Sequence, residues 1–188
     1  MSIDEKLSEL EIRRILVVDD RVENVLAAKQ AFSKYSLVSI DYAASASEAV
    51  TMMENAFKEG KKYDLVISDM EMETKTSGLD VVKQAIVQLS YATIATGINY
   101  DRSKHEAHGA TTTILPTGSS IKGKKEEPEV WDFVLDESIK YVRSVKGIDP
   151  VNSLKHDSHV RISIEGFTKY VGKLPDFIAE QILERYKR

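Results

Sequence analysis

ILVVDD (15–20) and DLVISD (64–69) are the two stretches that decide how this chain folds. Each is built on a continuous apolar run, ILVV (15–18) and LVI (65–67), and ends on aspartate. Unbroken apolar runs, in contrast to alternating ones, mark strands buried on both faces, as in a parallel sheet covered by helices. The residues between them complete a strand–helix cycle. Val22, Val25, Leu26, Ala28 and Phe32 recur at helical spacing, LVSIDYA (37–43) reads as a second strand, and Ser45–Phe57 reads as a helix capped by Ser45 or Ser47. Gly60-Lys61-Lys62 ends that helix before the third strand, 64–68.

The pattern continues outward from there. Leu79, Val82, Ile86 and Leu89 mark a helix over Gly78–Leu89, and ATIAT (92–96) and ATTTIL (110–115) are strand candidates separated by a polar, weakly helical stretch. Strands alternating with helices predict an α/β fold with a doubly wound, five-stranded parallel sheet. Residues 117–129, TGSSIKGKKEEPE, read as a flexible polar loop. Trp131, Val134, Leu135, Ile139 and Val142 form one face of a helix over Val130–Val145. Residues 1–11 read as a short helical or frayed lead-in. The domain is expected over 12–146, followed by a C-terminal extension, 147–188. There VRISIE (160–165) suits an edge strand and Leu174–Tyr186 a helix, both packed on the domain.

Composition narrows the function. The chain has 188 residues, 42% hydrophobic and 30% charged, with a net charge of −4 and no cysteine. Thiolate metal sites, disulfides and cysteine nucleophiles are excluded. The acidic balance gives no reason to expect a nucleic-acid surface. The polar start does not form a secretory signal, and no apolar run approaches the ~18 residues that span a bilayer. A soluble, cytoplasmic protein is expected. His105, His108, His156 and His159 lack carboxylate partners of clear geometry, and Gly118–Gly123 does not fit a phosphate-binding loop.

In a parallel sheet with right-handed crossovers, all strand C-termini emerge on one edge, where such folds bind ligands. Asp19 and Asp20 follow the first strand there and Asp69 follows the third. A single aspartate after a strand ordinarily starts a turn or caps a helix. Three at two strand ends place several negative charges in one cleft, which a hard, oxygen-seeking dication such as Mg²⁺ relieves. A carboxylate beside that cation is a competent nucleophile for phosphoryl transfer.

At these residues the sequence resembles the receiver domain of bacterial two-component response regulators, a flavodoxin-like fold. ILVVDDRVENVLAAKQAF (15–32) is similar to the family's first strand, acidic pair and first helix. YDLVISDMEM (63–72) is similar to the third strand with its phospho-acceptor, ATIATG (92–97) to the fourth strand with its switch hydroxyl, and HGATTTILP (108–116) to the fifth strand and its proline. The resemblance implies that Asp19, Asp20, Asp69 and the backbone carbonyl of Glu71 hold Mg²⁺. It implies further that Asp69 accepts the phosphoryl group and that Thr96 is the switch hydroxyl. The implied partners are a histidine kinase or a phosphotransfer protein, with self-association through the receiver's fourth and fifth helices or through the C-terminal tail. Such a protein is a regulatory phospho-acceptor in signal transduction, not an enzyme beyond self-phosphorylation and self-dephosphorylation.

The chain departs from the family in places. Leu115 precedes Pro116 where the family has the lysine that pairs with phosphoryl oxygens, leaving Lys122, Lys124 or Lys125 as possible replacements. The aromatic switch residue is absent, the loop after Asp69 lacks a proline, and Glu71 and Glu73 add negative charge near the cleft. These departures keep open a pseudo-receiver that acts as a phosphorylation-independent protein-binding module. A haloacid-dehalogenase-like phosphatase fits less well, since its D-x-D signature is replaced by Asp19-Asp20-Arg21.

Overall fold

A computed structural model describes residues 1–88, 90–97, 111–115 and 117–146. Eleven elements follow in order: α1 (Ile3–Glu9), β1 (Arg14–Val18), α2 (Val22–Phe32), β2 (Ser39–Ala43), α3 (Ala46–Lys58), β3 (Leu65–Ser68), α4 (Ser77–Val87), β4 (Tyr91–Thr96), β5 (Thr111–Leu115), β6 (Ser119–Lys122) and α5 (Pro128–Lys146). The sheet order is β2-β1-β3-β4-β5-β6. The expected edge strand and helix of the 147–188 extension, the four histidines and the stretch between β4 and β5 lie outside the described residues.

Four strands, β2, β1, β3 and β4, are parallel as the apolar runs predict. Their side chains alternate between two cores. Leu16, Val18, Val66 and Ile94 pack under α3 and α4, whereas Ile15, Val17, Leu65, Ile67 and Ala95 pack under α1, α2 and α5. Trp131 of α5 is buried in the second core, edge-on to Phe32 of α2 with ring centroids 6.0 Å apart. Ser45 is the N-cap of α3, its hydroxyl accepting from the Glu48 N–H at 3.1 Å. The acidic lead-in is α1, opened by a Ser2–Glu5 capping box and held on α5 by Leu7 in the shared core and a Lys6–Asp136 ion pair of 2.6 Å.

The expected fifth parallel strand is corrected. β5 runs antiparallel to β4, and residues assigned to a flexible loop instead form β6, antiparallel to β5. An apolar run specifies burial but not direction. The reversal is made at Thr117-Gly118, where Gly118 takes φ +74 and its N–H bonds the Ile114 carbonyl at 2.8 Å, a short hairpin connection that favours glycine at the left-handed position. Two reversals point β6 the same way as β4. The chain therefore leaves β6 at the edge where β1 and β3 end. No helix among the described residues is long and apolar enough to cross a membrane.

Candidate phospho-acceptor site

The parallel ladder continues one residue past the strands and pins the backbone of both key aspartates. The Asp19 N–H bonds the Ala43 carbonyl at 3.1 Å, and the Asp69 N–H bonds the Val18 carbonyl at 2.8 Å. Asp19, Asp20 and Asp69 then present carboxylate oxygens within 4.8 Å of one another. Asp19 is fully buried, Asp69 nearly so, and Asp20 is exposed at the mouth.

Asp19 has two roles at once. Its Oδ1 accepts from the Arg21 N–H at 3.0 Å and from Asn24 Nδ2 at 2.9 Å, so it shapes the turn into α2, whose N-cap residue Arg21 makes no side-chain cap bond. Its Oδ2 accepts from Lys125 Nζ at 2.6 Å. The ordinary turn role of an aspartate and the charged-pocket role thus fall on the two oxygens of one side chain. Asn24, buried on the first turns of α2, was not singled out from the sequence, because an asparagine among helix residues carries no signal without its neighbour in space.

Lys125 is the second residue that sequence alone did not place. Its side chain is 7% exposed, and its ammonium meets Asp19 Oδ2 at 2.6 Å, Asp69 Oδ1 at 2.8 Å and the Ala95 carbonyl at 3.1 Å. Those three acceptors match the three N–H donors of an ammonium. Of the lysines the sequence left open, Lys125 is the one that enters the pocket. The hairpin explains how: β6 delivers the chain to this edge, and three residues later Lys125 turns inward.

Three carboxylates and one ammonium leave an excess of negative charge when all are ionised. Burial pushes the Asp69 carboxyl above its ordinary value; the adjacent Lys125 ammonium opposes the rise and the Asp19 charge reinforces it. The donor set suits a hard dication: oxygen ligands only, uncompensated negative charge, and an exposed Asp20 on the open side. Mg²⁺ bound there would rest on Asp20, Asp69 and Asp19, and would supply positive charge to a phosphoryl group arriving at Asp69. The Glu71 residue implied as a carbonyl ligand is exposed in the loop directly after Asp69.

Glu73 does not crowd the pocket with charge as expected. Its carboxylate accepts from the Ala46 and Ser47 N–H groups, both at 3.2 Å, at the N-terminus of α3. Burial alone would raise its pKa, but backbone N–H bonds prevail and the net shift is downward. The same loop is tied internally by the Thr74 N–H donating to Ser77 Oγ at 2.7 Å. It closes on Gly78, where a Cβ would stand 2.0 Å from the Asp69 carbonyl oxygen. Only glycine lets α4 start this close to the Asp69 backbone. Thr96, the implied switch hydroxyl, is buried as the last residue of β4, one position beyond Ala95.

Residues 15–104 match the family model described as the response regulator receiver domain. This segment is a response regulator receiver domain. The match spans β1 to β4, with Asp19, Asp20, Asp69 and Thr96, and stops before the hairpin and Lys125. The match supports, for this segment, a phosphorelay receiver of two-component signal transduction in general terms. No curated protein matches the chain.

Proposed function

We propose that the protein is a phosphorelay receiver that accepts a phosphoryl group on Asp69 with the help of Mg²⁺ and passes the signal on through protein contacts. The supporting observation is Lys125. Its ammonium is held against Asp69 Oδ1 and Asp19 Oδ2, where a cation neutralises the equatorial charge of a transferring phosphoryl group. The apparent loss of that cation at Leu115 was the strongest argument for a phosphorylation-independent binding module. With Lys125 in the pocket, a full complement of nucleophile, acidic pair and cation is available to the chemistry.

In this reading the Asp69 carboxylate attacks the donor's phosphorus in line, the donor's leaving group departs, and Asp69 becomes an acyl phosphate. Asp20, Asp19 and Asp69 would hold the dication, which would supply positive charge beside the phosphoryl group, while Lys125 follows the phosphoryl oxygens. Phosphodonors are a histidine kinase, a phosphotransfer protein or a small acyl phosphate, and the protein has no catalytic role beyond its own phosphorylation and dephosphorylation. Incubation with Mg²⁺ and acetyl phosphate followed by intact-mass measurement tests this. The expected result is one phosphoryl adduct on the wild type and none on Asp69→Asn. A wild type that binds Mg²⁺ yet gains no mass from any phosphodonor would replace this reading with the binding module.

A further inference from the structure

Lys125 is joined to the rest of the molecule from both ends. At its side chain, three acceptors surround the ammonium. At its backbone, the carbonyl accepts from Trp131 Nε1 at 2.7 Å, on the first turns of α5. The segment around it is packed with little slack. Thr112 Oγ1 bonds the Gly123 carbonyl at 2.9 Å, tying the loop to β5, and a Cβ on Gly123 would stand 2.7 Å from Val130 Cγ2. On the outer side, Glu126 pairs with Arg21 at 2.8 Å, directly after the acidic pair.

We infer that Trp131 and Lys125 form the device by which occupancy of the pocket reaches α5. The inference rests on the phospho-acceptor reading and adds the route of its output. When Asp69 becomes an acyl phosphate, its Oδ1 no longer carries the charge that holds Lys125, and the negative oxygens lie farther out. The ammonium follows them, away from the Ala95 carbonyl. Its stem is buried, and two residues before it Gly123 is held by Thr112 of β5 and packed against Val130, so the displacement is passed to the Lys125 carbonyl and to the indole bonded to it. α5 carries the contact onward. Its Asp136 and Arg143 hold α1 through Lys6 at 2.6 Å and Glu9 at 2.8 Å. The surface that changes is therefore the α5–α1 face, reached without an aromatic switch residue in the fifth strand.

Trp131 is the chain's single tryptophan, so its indole N–H gives one unambiguous proton–nitrogen cross-peak. The experiment uses the full chain with Mg²⁺ and beryllium fluoride as the phosphoryl mimic, and reads bound fluoride by fluorine NMR beside the indole peak. Bound fluoride with a displaced indole peak is the expected result. Lys125→Met, which keeps the buried stem, should leave the indole peak where it stands when the mimic binds, while Lys124→Met should behave as wild type. Bound fluoride with an unmoved wild-type indole peak overturns the inference alone. Absence of any bound fluoride overturns the phospho-acceptor reading and the inference with it. If Lys125→Met fails to fold, the wild-type pair of measurements still decides.

Discussion

From β2 to β4 every strand runs in one direction, with alternate side chains feeding two cores, whereas β5 and β6 form an antiparallel hairpin with β6 along the open edge. The two regions make different contributions to one site. The parallel region supplies all three carboxylates from the ends of β1 and β3, and the hairpin region supplies the cation that sits between them. The family match covers the first region and stops before the hairpin. A receiver pocket can therefore keep its electrostatics while the strand that delivers the cation is rebuilt, provided the rebuilt segment returns the chain to the same edge. Two reversals of direction do that, where one would leave Lys125 at the far end of the sheet.

The largest way to break this comparison is to remove what the hairpin region contributes. Lys125→Met leaves Asp19 buried with a bare Oδ2 facing Asp69, and loss of one partner of a buried pair costs about 3 kcal/mol. In metal-free protein the denaturation midpoint should fall accordingly. Saturating Mg²⁺ should recover much of the loss, because the dication restores positive charge between the carboxylates. Equal destabilisation with and without Mg²⁺ would mean that Lys125 acts through packing of its stem and not through its charge.

An opposite test disturbs the parallel region while leaving Lys125 untouched. Gly78→Ala puts a methyl group 2.0 Å from the Asp69 carbonyl oxygen. Relief requires the loop 70–77 or α4 to move, at about 2 kcal/mol for an overpacked contact. Asp69 shifts with its own backbone, so Mg²⁺ affinity should fall along with stability. Calorimetric titration of Mg²⁺ separates this from a merely loosened helix, which would lower the melting temperature and leave the affinity intact.

The same division shows what was readable in the chain. ILVV and LVI are unbroken apolar runs, and burial on both faces follows from them directly, as do the aspartates that close their strands. TTTIL and SSIK carry no comparable information. Thr111 and Thr113 are only partly buried and β6 is half exposed, so their mixed pattern does not mark strands buried on both faces, and their direction depends on the turn between them. Gly118 was the available signal, a glycine after threonine at the spacing of a hairpin connection. Its polar neighbours suit a loop equally well, so the sequence does not separate the two. Lys125 is likewise one of several lysines in a charged run, distinguished only by three acceptors at the ends of β1, β3 and β4. Trp131 was legible as a core residue, but the bond from its indole to the Lys125 carbonyl depends on where the loop goes.

A smaller effect comes from Asp69 itself. Because burial raises the Asp69 pKa, the folded state binds that proton more tightly than the unfolded chain. Its contribution to stability is thus present at acid pH and lost as pH rises through the folded value. At neutral pH the ionised carboxylate works against the metal-free fold. Asp69→Asn should therefore melt above the wild type in the absence of Mg²⁺ at pH 7, with the gap closing as pH falls towards 4. Added Mg²⁺ should stabilise the wild type more than the variant and narrow or invert the difference. A variant that melts lower in metal-free buffer would show that the Lys125–Asp69 attraction outweighs the cost of burying the charge.

The smallest effect lies away from the pocket, where α1 meets α5. Burial alone would raise the Asp136 carboxyl, but hydrogen bonds from Lys6 and Lys140 outweigh it and hold the pKa below the ordinary 3.8. A depressed carboxylate stabilises the fold above its unfolded pKa, and that stabilisation is lost as pH falls through the folded value. Lys6→Ala should remove part of it, by less than about 1 kcal/mol for a partly exposed pair. The difference between variant and wild type should be present at pH 7 and vanish below the folded pKa of Asp136. This loss differs in sign from that of Asp69, which loses stability on going up in pH. Denaturation curves of the two variants across pH 3–7 would therefore separate a charge the fold is built to hold from one it is built to neutralise.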